Sequence, residues 1–269
     1  MSQSGRLLIL IAAYNAERTI ESVVARIPRR LAGQLEQVEI LLIDDCSADR
    51  TLERCRALRG SKVPFCHLDV ISNERNQGYG GTQKIGYEHA IRAGFDYVAL
   101  LHGDGQYAPE YLPVLLAPLI ADQADAVFGS RMMDKGGALQ GGMPFYKFVG
   151  NRILTAAQNW LLGSRLSEFH SGYRVYSTAA LRAIPFHLNS PGFHFDTEII
   201  IQLLIAEKRI KEVPIPTFYG DEICYVNGLD YAWNVIKQTC IARCHELSLF
   251  YERKYDCAVR AKELGLKSR

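Results

Sequence analysis

The polar residues that could take part in chemistry stand directly after short apolar segments. Asp44 and Asp45 follow one such segment, and His102-Gly103-Asp104-Gly105-Gln106 follows another. Tyr14 and Asn15 follow a third. Carboxylate and amide oxygens are hard ligands that suit Mg²⁺ or Mn²⁺ bridging a diphosphate, and carboxylates also accept hydrogen bonds from a base or ribose. Carboxylates therefore follow two of the apolar segments, and a tyrosine-asparagine turn follows a third. This combination favours a site for a nucleoside diphosphate and a divalent cation.

Two common nucleotide-binding motifs are absent from the sequence. Gly-x-Gly-x-x-Gly does not follow the first apolar segment, and no glycine-rich loop ends in Gly-Lys-Ser/Thr. Hydride transfer from a dinucleotide and ATP hydrolysis by a P-loop are therefore disfavoured. A purely structural interpretation stays open for several residues, because Asp49 suits a cap for a helix over 51–59 and the glycines within 73–81 suit turns.

The apolar segments before these residues recur at near-regular intervals and predict strands. Each is short and mostly continuous, as expected for strands buried on both faces of a sheet. Helix-like segments lie between them, and the first has Ile20, Val23 and Ile27 on one face with Asn15 as its cap. This alternation predicts right-handed βαβ units and a largely parallel sheet. The predicted strands are 7–12, 38–43, 65–71, 97–101 and 124–128.

The second half of the chain has a different pattern. It predicts helices over 145–162 and 197–207, strands over 173–176 and 210–215, a last helix from near Leu229, and a mobile loop over 135–142. Because no repeat or low-complexity linker interrupts the chain, we expect one domain over 1–225. Its nucleotide-binding half would span about 1–131 and its acceptor half about 132–225, followed by a helical extension over 226–269.

Composition excludes several classes of protein. Lys and Arg number 31 and Asp and Glu 29, so the net charge of +2 lacks the basic excess that nucleic-acid binding needs. The seven cysteines are scattered and form no Cys-x-x-Cys pair, which disfavours disulfides and zinc sites. The apolar stretch 7–13 is too short to span a bilayer, and it has no signal-type cleavage region. We expect a reduced, cytosolic protein with no transmembrane segment.

Five short strings in this sequence resemble glycosyltransferase family 2, and within it the branch of polyprenyl- or dolichyl-phosphate mannosyl- and glucosyltransferases. They occur in the right order within residues 6–220, and the set is specific although each string alone is weak. The resemblance implies the GT-A fold, an α/β architecture with a Rossmann-like, mostly parallel sheet and helices on both faces. The strings are Ala-Tyr-Asn-Ala-Glu (13–17), Ile-Asp-Asp-Cys-Ser-Ala-Asp-Arg-Thr (43–51), Gly-Asp-Gly-Gln (103–106), Gly-Ser-Arg (129–131) and Ser-Gly-Tyr-Arg (171–174).

The resemblance also implies an activity and a set of site residues. A member of this family inverts the anomeric carbon as it moves a sugar from a UDP- or GDP-linked donor to an acceptor, here expected to be a polyprenyl phosphate. The cation would be Mg²⁺ or Mn²⁺. The residues implied to hold the nucleotide-sugar are Ala13, Tyr14, Asn15, Glu17, Asp44, Asp45, Gly78, His102, Gly103 and Asp104; those for the metal are Asp104, Gln106 and His102; those for the acceptor are Arg131 and Arg152; and those for catalysis are Asp104, Arg131, Asp196 and Glu198.

The sequence departs from the family pattern in three places. His102 stands where the metal motif Asp-x-Asp has its first aspartate, so the site has one negative charge fewer, although imidazole can ligate Mn²⁺ or hydrogen-bond a phosphate. The alternative is that His102 only closes a strand end. Gln-x-x-Arg-Trp is absent, which argues against a processive polysaccharide synthase. The segment 214–222 lacks the arginine expected of a lipid-phosphate enzyme.

The nature of the acceptor decides whether a general base is needed. A lipid phosphate is already ionised, whereas a hydroxyl of a soluble or glycan acceptor, the alternative, must lose its proton to a carboxylate. Asp196 and Glu198 are the candidates, with Asp221 and Glu222 behind them, and all four equally suit helix-capping or surface roles. Arg174 suits a structural ion pair as well as a ligand contact.

Other functions and assemblies stay open at this point. A nucleotidyltransferase is disfavoured because its glycine-rich basic loop is missing after the first strand, whereas a non-catalytic nucleotide-sugar-binding protein is conceivable because of His102. A peripheral membrane surface at the inner membrane could be formed by apolar residues within 143–162 or by the aromatic and basic residues within 231–254, although most such stripes are core. The apolar residues are Met143, Phe145, Tyr146, Phe148, Trp160, Leu161 and Leu162. The sequence does not decide whether the chain forms a homo-oligomer.

Overall fold

The computed structural model describes residues 5–60, 66–134, 136–218 and 227–257. Seven strands form one sheet in this part of the chain. They are β1 (Arg6–Ala13), β2 (Gln37–Asp44), β3 (His67–Ser72), β4 (Tyr97–His102), β5 (Ala126–Ser130), β6 (Arg174–Ser177) and β7 (Ile210–Pro214). Their order across the sheet is β3-β2-β1-β4-β6-β5-β7. All pairs are parallel except those of β6, which runs antiparallel to β4 and β5, so the expected largely parallel sheet is confirmed.

Helices connect the strands and cover both faces of the sheet. They are α1 (Ile20–Ala25), α2 (Thr51–Gly60), α3 (Tyr79–Arg92), α4 (Leu112–Ile120), α5 (Gly137–Gln140), α6 (Phe145–Leu162), α7 (Thr178–Arg182), α8 (Phe195–Ile205) and α9 (Gly228–Glu246). Short 3₁₀ turns lie at Arg29–Gly33, Pro109–Tyr111, Phe186–Leu188 and Arg253–Tyr255. The bounds of α6 agree with the predicted helix.

The interior strand β1 is buried on both faces. Leu7, Ile9 and Ile11 belong to one hydrophobic core, and Leu8 and Leu10 belong to the other. Successive side chains of a strand point to opposite faces, so a strand between two helical layers must be apolar at every position. This is why the sequence shows continuous rather than alternating apolar segments.

Strand register places the predicted polar residues at one edge of the sheet. Ala13, the last residue of β1, pairs with Asp44 of β2, and Ala12 pairs with His102 of β4. Asp44 also pairs with Ser72 at the end of β3. Because these four strands run in parallel and end at the same level, their following loops meet at the carboxyl edge, where ligands bind in open sheets of this kind.

The antiparallel β6 brings an additional loop to that edge. Arg174, its first residue, pairs with Leu100 of β4 and Phe128 of β5. A strand that runs in the opposite direction begins where its neighbours end, so the residues just before Arg174 lie beside the ends of β4 and β5. The apolar pattern predicted this strand but not its direction.

Several expectations differ from the structure or fall outside the described residues. Asn15 does not cap the first helix, because α1 begins at Ile20 after Thr19. The expected loop over 135–142 contains the short helix α5. Position 135 of this loop and position 65 of the third predicted strand are outside the described residues. The division into two halves and a helical extension stays a prediction.

Candidate active site

Hydrogen bonds shape the loop that follows β1. Asn15 adopts a left-handed backbone conformation with φ 50°, and its Oδ1 accepts a hydrogen bond from the Ala48 amide at 3.0 Å. Glu17 Oε2 accepts from the Arg50 amide at 3.0 Å. These bonds tie the loop after β1 to the loop after β2, so Asn15 and Glu17 hold the site together, while the Tyr14 side chain is exposed to solvent.

Close packing joins the end of β1 to the start of the loop after β4. A Cβ on Gly103 would lie 3.1 Å from the Ala13 Cβ, and the Gly103 carbonyl accepts from Thr19 Oγ1 at 2.6 Å. The Ala13 carbonyl accepts from the Asp45 amide at 2.9 Å. Ala13 and Gly103 therefore bring the loops close together and leave little room for a larger side chain.

Asp45 organises the loop after β3. Its Oδ1 accepts from Asn73 Nδ2 and from the Gln77 amide, both at 2.7 Å, and its Oδ2 accepts from the Gly78 amide at 3.0 Å. Gly78 has φ +77°, and a Cβ there would approach the Pro191 carbonyl oxygen to 2.7 Å. These contacts favour a structural role for both Asp45 and Gly78. The family resemblance had implied that both residues bind the nucleotide-sugar.

Asp44 has a different environment although it is adjacent. Its side chain is buried, and Oδ1 has no hydrogen-bond partner among the described residues, while Oδ2 accepts a long 3.4 Å bond from Ser72 Oγ. Buried polar atoms are nearly always hydrogen-bonded, so an oxygen without a partner at this edge is suited to a donor group on a ligand. Both oxygens of Asp45 are thus engaged by its neighbours, whereas Asp44 keeps one carboxylate oxygen without a partner among the described residues.

His102 lies between two tyrosine rings at the end of β4. The Tyr79 ring stands edge-on to it with centroids 5.4 Å apart, and the Tyr107 ring does so at 5.0 Å. A Cβ on Gly172 would lie 2.7 Å from His102 Cε1, so the loop before β6 closes over the imidazole. Burial lowers the pKa of His102, although Asp104 and Asp196 act against this. The lowered pKa favours the neutral imidazole, in which one ring nitrogen carries a lone pair.

The donor atoms around Asp104 suit a cation that is shared with a substrate. Asp104 is exposed, and its Oδ1 accepts from the Gln106 amide at 2.9 Å. No group of three or more His, Cys, Asp or Glu side chains is placed to hold a metal within the described part of the chain. Mg²⁺ is commonly held by one or two carboxylates together with substrate phosphates and water. The Asp104 carboxylate with the neutral His102 imidazole fits that arrangement, and it does not fit a closed protein cage.

A buried ion pair occupies the end of β5. Arg131 and Glu168 are both buried and paired, with Arg131 Nε 3.0 Å from Glu168 Oε1. The Arg131 amide donates to Glu168 Oε2 at 2.7 Å, and Asn151 Nδ2 donates to Oε1 at 2.8 Å. Burial alone would raise the pKa of Glu168, but the charge and hydrogen bonds of Arg131 lower it. Arg131 is thus held by a carboxylate that the sequence analysis missed, although Glu168 lies three residues before the Ser-Gly-Tyr-Arg string.

Asp196 joins His102 through Tyr79. Tyr79 Oη donates to Asp196 Oδ2 at 2.8 Å and lies 3.3 Å from His102 Nε2. Arg174 Nη2 is 3.8 Å from the same Asp196 oxygen. Asp196 Oδ1 is buried and has no hydrogen-bond partner among the described residues. The structure therefore brings one of the predicted catalytic carboxylates beside the predicted metal site.

Glu198 and Arg152 are placed differently. Glu198 is fully buried, and its two oxygens accept from Lys254 Nζ and from the Ser190 amide, each at 2.7 Å. These bonds anchor the segment after α9, which favours a structural role. Arg152 is exposed on α6, with its guanidinium 5.8 Å from the Phe148 ring centroid. The other predicted carboxylates, at positions 221 and 222, are outside the described residues.

Comparison with known proteins identifies the family. Residues 8–184 match the family model described as Glycosyl transferase family 2. The chain belongs to this family. The resemblance seen in the five strings is thereby confirmed, and the protein is a glycosyltransferase.

Several curated relatives of this glycosyltransferase carry names of lipid-linked sugar transferases. A UDP-N-acetylglucosamine--dolichyl-phosphate N-acetylglucosaminyltransferase of Methanococcus voltae is 28% identical over 80% of this chain and 86% of its own length. A dolichyl-phosphate hexose transferase of Haloferax volcanii is 31% identical over 78% of this chain and 82% of its own length. A polyprenol monophosphomannose synthase of Mycolicibacterium smegmatis is 28% identical over 81% of this chain and 79% of its own length.

Solved structures confirm the GT-A fold. Glucosyl-3-phosphoglycerate synthase from Mycobacterium tuberculosis in complex with UDP aligns with a TM-score of 0.62 and 21% identity, over 89% of this chain and 80% of that chain. The same synthase with Mn²⁺, UDP and phosphoglyceric acid also gives a TM-score of 0.62, at 20% identity, over 89% of this chain and 78% of that chain. At this identity the likeness describes the fold.

The glycosyltransferase has a second histidine in this region, beside the buried ion pair. The His170 carbonyl accepts from Arg131 Nη2 at 3.0 Å, and Nδ1 lies 2.9 Å from Tyr231 Oη of α9. His170 Nε2 is buried without a hydrogen-bond partner among the described residues. Burial lowers the pKa of His170 to about 4, although Glu168 acts against this.

We expect His170 to make folding stability depend on pH. In the unfolded chain a histidine binds its proton near pH 6.5, whereas folded His170 stays neutral down to about pH 4. Stability is therefore lost as the pH falls between these values, because the unfolded state binds more protons. Comparing urea unfolding of wild type and His170→Asn from pH 7 to pH 4, the wild-type free energy of unfolding should fall by roughly 3 kcal/mol more than that of the variant. A pH-independent difference between the two would contradict this.

Proposed function

We propose that this glycosyltransferase moves a sugar from a UDP- or GDP-linked donor to a lipid phosphate of the polyprenyl type, with a divalent cation at the donor. The observation that carries the proposal is the group of Asp104, His102 and Asp44 at the carboxyl edge. It combines an exposed carboxylate, an imidazole with a lowered pKa, and a buried carboxylate oxygen without a partner among the described residues. The names of the Methanococcus and Mycolicibacterium relatives, which contain dolichyl phosphate and polyprenol, support the acceptor.

Each group at this edge has a proposed task with the donor. Asp44 would accept hydrogen bonds from the nucleoside, and the exposed Tyr14 ring would contact its base. Asp104, His102 and Gln106 would hold the cation, which when bound supplies positive charge to the leaving diphosphate. The Mn²⁺ in the related M. tuberculosis structure supports this cofactor class.

The contacts of Asp196 and Glu198 support a phosphate acceptor. Asp196 is held by Tyr79 and Arg174, and Glu198 is held by Lys254. A phosphate oxygen can attack the anomeric carbon as the bond from that carbon to the diphosphate oxygen breaks, and no proton has to be removed. An acceptor of this kind needs neither carboxylate as a base.

Two arginines keep proposed roles with the acceptor. Arg131 would lie beside the acceptor without binding its phosphate directly, because Glu168 pairs with the guanidinium and offsets its charge. The exposed Arg152 would contact the lipid phosphate directly, because a guanidinium fork matches phosphate oxygens.

One observation favours a second candidate, transfer to a hydroxyl acceptor. Asp196 Oδ1 is buried and has no hydrogen-bond partner among the described residues, so this oxygen could take a proton from an acceptor hydroxyl. Asp196 would then act as a base through Oδ1, since Tyr79 already donates a hydrogen bond to Oδ2.

Replacing Asp104 tests the donor site. Asp104→Asn removes the anionic ligand from an exposed position and should leave the fold intact. In calorimetric titration of UDP or GDP, Mn²⁺ should strengthen binding to the wild type and should no longer do so in the variant. Asp122→Asn is the matched control, because Asp122 is an exposed carboxylate just before β5, at the opposite edge of the sheet. If Asp104→Asn binds the nucleotide with the metal dependence of the wild type, the donor site is wrongly placed.

The helix α6 offers a surface for a lipid environment. It buries polar residues and exposes apolar ones, the reverse of a helix that packs its apolar face on a core. Gln158 is 0% exposed, whereas Trp160 is 83% exposed, Phe145 is 70% exposed and Ile153 is 63% exposed. The neighbouring α9 packs on α6 and adds the exposed Trp233. Contiguous exposed apolar groups mark interaction surfaces.

Composition and position suggest that this surface meets a membrane. The 18 residues of α6 include Lys147 and Arg152 and no carboxylate, which suits anionic lipid headgroups. Tryptophan and tyrosine are enriched where a membrane meets water. Asn151 of the same helix hydrogen-bonds Glu168, so the surface adjoins the site where a lipid phosphate would be bound. No helix in the described ranges is long and apolar enough to cross a bilayer.

A vesicle-binding assay tests this surface. The variant Ile153→Glu/Trp160→Glu should bind anionic phospholipid vesicles at least about tenfold more weakly than the wild type, since it loses two apolar contacts worth roughly 1.5–3 kcal/mol each. Val114→Glu changes a 45% exposed apolar residue on α4 and should bind vesicles as the wild type does. Nucleotide binding should be retained in both variants. Vesicle binding that is unaffected by the α6 variant, or a dimer that only this variant dissociates, would contradict membrane docking.

A further inference from the structure

Tyr79 connects two predicted site residues through one hydroxyl group. It is the first residue of α3, and its Oη lies 2.8 Å from Asp196 Oδ2 and 3.3 Å from His102 Nε2. Its ring stacks on Phe193, with centroids 5.3 Å apart and an interplanar angle of 28°. The ring is therefore held on one side while the hydroxyl bridges a carboxylate and an imidazole.

The single hydrogen of this hydroxyl can serve only one of its two neighbours. The contact to Asp196 is the shorter, and a hydrogen bond to a carboxylate is the stronger kind. With its hydrogen directed to Asp196, the Tyr79 oxygen can only accept from His102. Nε2 of His102 must then carry the hydrogen, and in a neutral imidazole the lone pair lies on Nδ1.

The partners of Tyr79 are themselves held in place. Arg174 is buried, and its Nη1 donates to the Asp196 carbonyl at 2.9 Å while Nη2 lies 3.8 Å from Oδ2. This cation keeps the carboxylate beside Tyr79. A Cβ on Gly172 would lie 2.7 Å from Tyr79 Oη, so the loop before β6 packs closely over the hydroxyl. These contacts hold the Asp196 carboxylate and the Tyr79 hydroxyl in place beside His102.

We propose that Tyr79, held by Asp196, is a positioning residue that fixes His102 in the Nε2–H tautomer and leaves the Nδ1 lone pair for the cation beside Asp104. This inference rests on the proposed function, in which His102 serves the metal site. A carboxylate at position 102 would offer lone pairs on either oxygen, whereas an imidazole offers one, so its tautomer must be set. Partners behind a metal-bound histidine commonly set its tautomer in this way.

The tautomer can be measured directly in the metal-free, full-length protein. In ¹⁵N NMR spectra of the histidine side chains, wild-type His102 should show a protonated Nε2 and an unprotonated Nδ1. Tyr79→Phe keeps the ring and removes the hydroxyl, so this single tautomer should be replaced by a mixture. Tyr107→Phe is the matched control, since its ring also contacts His102 but its hydroxyl accepts from the Gly172 amide at 2.7 Å. Its tautomer should be that of the wild type.

Metal affinity gives a second readout. Tyr79→Phe should weaken Mn²⁺ binding in the presence of UDP or GDP by about 10–100-fold, as is usual when a partner of a ligating histidine is removed, and nucleotide binding without metal should not change. Tyr107→Phe should keep the wild-type Mn²⁺ affinity. A protonated Nδ1 in the wild type, or Mn²⁺ affinity equal in Tyr79→Phe and wild type, would overturn the inference. If neither the wild type nor the two variants bind nucleotide, the proposed function is wrong. The tautomer result would still stand, because it is measured without metal or nucleotide.

Discussion

The buried guanidinium of Arg174 is the interaction on which the site depends. Its Nε donates to the Ser171 carbonyl at 2.8 Å, Nη2 to the Phe169 carbonyl at 2.9 Å and Nη1 to the Asp196 carbonyl at 2.9 Å. Burial alone would lower the pKa of Arg174, but Asp196 raises it above the ordinary arginine value, so the cation is retained. One side chain therefore sets the spacing between the loop before β6 and the first turn of α8.

That spacing positions two carboxylates of the site, Glu168 and Asp196. The loop before β6 carries Glu168 to Arg131 at the end of β5, and the first turn of α8 carries Asp196 to Tyr79. Removing one partner of a buried ion pair is strongly destabilising, because the other charge is left without compensation. The geometry of this site is thus tied to the stability of the fold, unlike that of a site built on free surface loops.

The sequence predicted the elements that depend on local pattern. Continuous apolar segments predicted the parallel strands, and the residues following them, Asp44 and His102, do lie together at one edge of the sheet. The 3.6-residue pattern predicted α6 with its bounds, Phe145–Leu162. These features are local in the chain, so composition and period suffice to predict them.

Features that depend on distant contacts were not predictable in this way. The direction of β6 is set by how the loop before it crosses the sheet edge, and strand patterns carry no direction. Tyr79 and Asp196 are 117 residues apart, so their contact has no local signal. A hydrophobic pattern also does not say which face of α6 meets the protein, and here the polar Gln158 is on the inside.

Transfer of a sugar to a lipid phosphate is the reaction proposed for this protein. The most direct measurement is mass spectrometry of the products formed by the purified protein with Mn²⁺, a UDP- or GDP-linked sugar, and vesicles that contain equal amounts of a polyprenyl phosphate and the corresponding polyprenol. We expect sugar on the phosphate, with the alcohol unmodified. Sugar attached to the polyprenol, with the phosphate unmodified, would contradict it.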